Sequence, residues 1–128
     1  MTKVDSRDRF LVDEMLRHLT VLAAGAKEGK AKLAKDSITR YAVEHATELL
    51  AEAAEKVSQA FKTANPKVMW KELRPLRKGV AHPYDLGAEP VNVDQLWRFI
   101  QDDAPRIARA LGNANFPEEP SVTDRRRS

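Results

Sequence analysis

Residues 38 to about 63 constrain this chain more than any other stretch. Ile38, Tyr41, Ala42, His45, Leu49, Ala53, Val57 and Phe61 recur at three- and four-residue intervals, with Ala46, Leu50 and Ala60 beside them. That is the period of a helix with one buried stripe. Alanine is dense here, at Ala42, Ala46, Ala51, Ala53, Ala54 and Ala60. Small side chains let a second helix come close, so the segment is expected to be a central, well-covered helix. Asp36 and Ser37 supply its opening. His45 lies on the stripe and is expected in a core or an interface. Glu52 either faces water or orients a positive group.

The flanks carry the same period. From about Ser6 to Ala24, Phe10, Leu11, Met15, Leu19 and Leu22 form one stripe, with Asp5 or Ser6 placed to cap it and Gly25 to end it. His18 lies beside that stripe, at a surface or edge. Ala26 to Lys35 holds four lysines and one glutamate and reads as a loop or a weak, solvated helix. Asn65-Pro66 stops one helix and starts another, with asparagine as the cap and proline at the first helical position. Val68, Met69, Trp70 and Leu73 make a short apolar face; Pro75 kinks or restarts the chain, and Leu76 to Ala81 is expected to be helical. Asn92 and Gln95 are spaced as a capping box ahead of the stripe Leu96, Trp97, Ile100, Ala104, Ile107 and Leu111, which Gly112 ends. The expectation is an all-α bundle of four to five helices over residues 1–112. Residues 113–128, with Arg125-Arg126-Arg127, are expected to be a flexible basic tail.

Composition narrows the function. At 128 residues the chain fits one domain. It has no cysteine, which excludes disulfides, zinc–thiolate sites and a cysteine nucleophile and fits a reducing cytoplasm. The apolar run Leu19 to Ala26 is too short to cross a membrane and too far from Met1 for a signal sequence, so no membrane is expected. The net charge of +3 gives no bulk field for nucleic acid. Its distribution matters more. Between Lys62 and Lys78 six basic residues (Lys62, Lys67, Lys71, Arg74, Arg77, Lys78) meet one acid, Glu72.

That basic run leads into Arg77-Lys78-Gly79-Val80-Ala81-His82-Pro83-Tyr84. Arginine holds a phosphate bidentately, histidine moves a proton near neutral pH, and tyrosine offers a phenolic hydroxyl. Those groups suffice to cleave RNA without a metal or cofactor. Five residues apart on one helix, Arg77 and His82 would point roughly 140 degrees apart. Pro83 biases His82 out of helical backbone angles, so the helix is expected to end there. A second copy of the chain across a two-fold axis would also bring two arginines and two histidines to one cleft. The plain alternative is a surface charge, a helix-end histidine and a packing tyrosine.

Arg77, four intervening residues, His82, Pro83 and Tyr84 resemble the Arg-x4-His-x-Tyr motif of HEPN-domain toxins of the HepT type. Trp70-Lys71-Glu72-Leu73-Arg74-Pro75-Leu76-Arg77 resembles the tryptophan-led helix before that motif. Leu49-Leu50-Ala51-Glu52-Ala53-Ala54 resembles a segment of the family's long helix, and Leu96-Trp97 to Ile107 its last helix. The resemblance implies a HEPN-like homodimer and a metal-independent endoribonuclease with Arg77 and His82 catalytic. It implies a toxin–antitoxin system whose antitoxin is a minimal nucleotidyltransferase that adenylylates Tyr84. Lys71, Arg74 and Lys78 are then candidate RNA-binding residues. Lys78 stands where the family often has asparagine or another small polar residue. The alternative within the same fold is a noncatalytic module engaging RNA or a nucleotidyltransferase partner.

Overall fold

Two helices, α1 (Arg7–Glu28) and α3 (Ser37–Lys56), pack along their length and carry most of the core. The computed structural model of the protein describes residues 7–76 and 92–116, and among them there are helices and turns but no strand. Short α2 (Lys30–Lys35) links the pair. After α3 come α4 (Gln59–Ala64), a 3-10 turn at Pro66–Val68 and α5 (Trp70–Leu73). The last rod is α6 (Val93–Arg98), a π turn at Phe99–Asp103 and α7 (Ala104–Gly112). The bundle is all-α, as the periodicity predicts.

The core lies between three helical layers. Met15, Leu19 and Leu22 of α1 meet Val43, Ala46 and Leu50 of α3, and Ile100, Ile107 and Leu111 close the third side. Phe61, Val68 and Leu73 extend this core towards the α4–α5 corner. Fully burying one such aliphatic side chain is worth about 1.5–3 kcal/mol.

Gly25 does not end α1. It is buried inside the helix, where an added Cβ would stand 2.6 Å from Val43 Cγ2. Its role is close approach between α1 and α3, and Gly29, at φ 97°, provides the break instead. The lysine-rich stretch after it is helical, because Leu33 anchors it in the core with no exposed surface.

The stripe expected on α3 is only half buried. Ala53, Val57 and Phe61 are covered, but Ile38 is 79% exposed, Tyr41 57% exposed, and Ala42 and His45 also face outward. The helix buries Val43, Ala46, Thr47, Leu50, Ala51 and Ala54 instead. Both faces are apolar in sequence, so period alone does not choose between them. The choice follows from Gly25, which admits Val43.

The long segment also breaks. Val57 turns extended, and Ser58 caps α4 by accepting from the Phe61 N–H through Oγ at 3.2 Å. Asp36 caps α3 in the same way through the Thr39 N–H, and Asn92 caps α6 through the Gln95 N–H. At the π turn the Ala104 N–H reaches back to the Phe99 carbonyl. Pro105 follows, and it cannot donate to the carbonyl four residues back; the widened turn accommodates its ring.

Candidate nucleic-acid interface

Asn65 organises the corner that leads to the basic run. Its side chain makes no helix cap, contrary to the sequence reading. Instead Nδ2 donates to the Phe61 carbonyl at 3.0 Å and the Asn115 carbonyl at 2.8 Å, while Oδ1 accepts from the Asn115 N–H at 2.7 Å. The Asn65 carbonyl accepts from Trp70 Nε1 at 2.9 Å. One buried amide therefore ties α4, the C-terminal segment and α5 together. Phe61 reinforces the corner, with its ring 4.9 Å from Phe116 and edge-on to Trp70 at 6.1 Å.

Between the 3-10 turn and α5, Met69 adopts φ 66°, the left-handed region that a residue with a Cβ enters at a cost of about 1–2 kcal/mol. That turn starts Trp70–Leu73, whose buried Leu73 fixes the helix and leaves Lys71 and Arg74 exposed.

Lys71 and Arg74 line a groove of about 860 Å³, with Lys62, Gln59, Met69 and Trp70 also on its walls and Glu55 and Glu72 as its acids. The Lys62 ammonium lies over the Trp70 ring, 5.8 Å from its centroid. The structure thus brings Lys62, Lys71 and Arg74 together on one surface. Arg77, Lys78, His82 and Tyr84 lie outside the described residues.

The other sequence candidates fall elsewhere. His45 is exposed and stacks on Tyr41, with ring centroids 6.1 Å apart, so it is no core residue. His18 is half-buried with Nε2 3.6 Å from Glu14 Oε2; burial holds its pKa below the ordinary value, with Arg17 and His45 adding to that and Glu14 opposing it. Glu52 pairs with Lys56 at 3.4 Å along α3, a solvated (i, i+4) contact. Among the described residues no helix is long and apolar enough to cross a membrane.

Sequence reasoning passed over a second group of cations. Arg106 and Arg109 lie three residues apart on α7, on the exposed side of a helix read only for its apolar stripe. Lys67 faces them from the 3-10 turn across a groove of about 600 Å³. The spacing was visible in the sequence; the element opposite was not.

This arrangement defines a class: an α-helical bundle whose basic grooves adjoin the approach to an Arg-x4-His-x-Tyr segment. The chain belongs to the HepT-like ribonuclease family, whose model matches residues 4–113. It is 32% identical over 72 residues to a probable ribonuclease HepT of Thermococcus cleftensis, covering 56% of this chain and 62% of that protein. It is also 32% identical over 76 residues to a putative RNase of Methanocaldococcus jannaschii, covering 59% of this chain and 66% of that protein. The matched part thus spans less than two thirds of either relative. No solved structure matches the chain.

Proposed function

We propose that the protein is the toxin ribonuclease of a toxin–antitoxin pair and cleaves single-stranded RNA without a metal. The carrying observation is the family match over residues 4–113, which includes the Arg77…His82…Tyr84 spacing. The cationic groove at Lys62, Lys71 and Arg74, just before that segment, supports it. Two copies form the working unit, so that Arg77 and His82 of each contribute to one cleft.

The chemistry balances without a cofactor. One His82 imidazole takes the proton of a ribose 2′-hydroxyl, whose oxygen attacks the adjacent phosphorus. The bond from phosphorus to the 5′-oxygen breaks, and the leaving oxygen takes a proton from the protonated imidazole of the partner's His82. The products are a 2′,3′-cyclic phosphate and a 5′-hydroxyl. Arg77 holds the phosphate oxygens as negative charge builds on them. Lys71, Arg74 and Lys78 hold neighbouring phosphates. The antitoxin is a minimal nucleotidyltransferase that places AMP on Tyr84, adding bulk and negative charge beside Arg77. These reactions belong to the cytoplasm.

The test uses purified full-length protein and single-stranded RNA with a chelator present. Cleavage leaving cyclic phosphate and 5′-hydroxyl ends, lost in His82→Ala and Arg77→Ala, is expected. RNA left intact by the wild type, or cleaved equally by His82→Ala, overturns the reading.

A further inference from the structure

The groove between the 3-10 turn and α7 is built differently from the one lined by Lys62, Lys71 and Arg74. Its lining includes the cations Lys67, Arg106 and Arg109 and the amide side chains of Asn65, Asn113 and Asn115. No carboxylate lines it. Lys67, Arg106 and Arg109 are exposed and make no ion pair among the described residues. Asp102 and Asp103 stand one turn back on the same rod, outside the lining, and pair with neither arginine.

Three unneutralised cations around one cleft repel one another, and an anion relieves that repulsion. Two are arginines at (i, i+3), which share a helix face and present planar forks suited to phosphate oxygens. The cleft walls are also fixed before any ligand arrives. The paired Asn65–Asn115 hydrogen bonds, at 2.7 and 2.8 Å, clamp the segment that follows α7 to the turn that carries Lys67.

The position supplies the direction. Pro66 lines both this groove and the one holding Lys62, Lys71 and Arg74. The two grooves therefore meet at one ridge. We propose that Lys67, Arg106 and Arg109 form a distal phosphate subsite, which holds the backbone of the same single RNA strand beyond the phosphates held at Lys62, Lys71 and Arg74. This rests on the ribonuclease reading above and extends it to substrate length. Continuity with the groove of Lys62, Lys71 and Arg74 favours a nucleic-acid strand, whose phosphates recur along its length, over an acidic protein segment with isolated charges.

The test separates long from short substrates. In a His82→Ala background, a fluorescein-labelled single-stranded RNA of about a dozen nucleotides is titrated by anisotropy at several salt concentrations. The added pair Arg106→Glu and Arg109→Glu is expected to weaken binding at least tenfold. It is also expected to reduce the salt slope by about 1.4, since each lost phosphate contact on a single strand contributes about 0.7. With His82 intact, the same pair is expected to leave kcat/KM for a dinucleotide substrate unchanged and to lower it for the long strand. Arg106→Gln with Arg109→Gln should give the same pattern with a smaller loss of affinity.

Equal affinity and slope for the variants overturn the subsite, as does an equal loss on the dinucleotide. A poly-glutamate peptide of matched charge that binds as tightly and is lost on the same variants overturns the assignment to RNA. If the wild type cleaves nothing but the arginine variants still lose long-strand binding, the subsite stands and the ribonuclease reading falls.

Discussion

Asp8 and Ser58 lie fifty residues apart in sequence and are joined by two hydrogen bonds. The Ser58 N–H donates to Asp8 Oδ1 at 2.9 Å, and the Ser58 hydroxyl donates to Oδ2 at 2.6 Å. Asp8 has no exposed surface. Ser58 is also the cap of α4, so one buried carboxylate fixes where the long segment breaks and ties that break to the start of α1. Asp8→Ala leaves the backbone N–H of Ser58 buried without its acceptor. A hydrogen bond to a charged group is worth about 1.5–3 kcal/mol, so the variant is expected to lose about 2–4 kcal/mol in urea unfolding. A loss below about 0.5 kcal/mol would show that the pair does not hold the corner.

Gly25 and Val43 make the opposite kind of contact. A Cβ on Gly25 meets Val43 Cγ2 at 2.6 Å, a clash that neither helix backbone relieves without shifting. Gly25→Ala gains about 1 kcal/mol of helix propensity and loses about 1–3 kcal/mol to overpacking, so net destabilisation is expected. Removing the opposing methyl groups discriminates. In the double variant with Val43→Ala, the alanine at 25 should cost less than it does alone, giving a favourable coupling of at least about 0.5 kcal/mol. Strictly additive losses would mean that the helices do not meet there.

These two contacts also mark what the sequence conceals. Helical period, caps and breakers placed α1, α3 and the last rod, because each signal is local. The Asn92 cap and the Leu96-to-Leu111 stripe appear as read. The buried face of α3 was not legible, because Ile38, Tyr41 and Leu49 match the helical period as well as Val43, Ala46 and Leu50 do. The break at Ser58 was hidden too, since its partner Asp8 comes from another element. The cationic run from Lys62 was legible as charge, and the structure gathers Lys62, Lys71 and Arg74 on one groove. Arg106 and Arg109 became candidates only when α7 was seen facing Lys67.

His18 gives the fold a pH response of definite sign. Burial lowers its pKa, with Arg17 and His45 adding and Glu14 opposing. The unfolded chain, with an ordinary histidine near pH ~6.5, therefore binds the proton more readily than the folded one. Stability rises with pH wherever the unfolded state holds more protons. The contribution is thus complete above the unfolded value, and stability falls as pH drops through that value, levelling off below the folded one. Urea midpoints from pH 8 to pH 5 should decline more steeply for the wild type than for His18→Gln. Parallel curves would remove His18 as the source.

Asn65 links stability to the distal groove without carrying charge. Asn65→Ala removes the acceptor of the Asn115 N–H and the donors to the Phe61 and Asn115 carbonyls, all at a site only 7% exposed. Losing these bonds is expected to cost about 2–3 kcal/mol, since buried partners are left unsatisfied. Hydrogen exchange reads the local effect, because the Asn115 amide should lose protection more than the amides of the α1–α3 core do. If the clamp pre-sets the cleft between Lys67 and Arg109, binding of the long RNA strand should weaken at a temperature where the variant is still folded. Its salt slope should stay that of the parent, since no cation has been removed. Asn65→Asp keeps the acceptor and loses both donors, so it should fall between the two in Asn115 protection. An Asn115 amide that exchanges in Asn65→Ala as it does in the wild type would show that the segment after α7 is held by Phe116 packing alone.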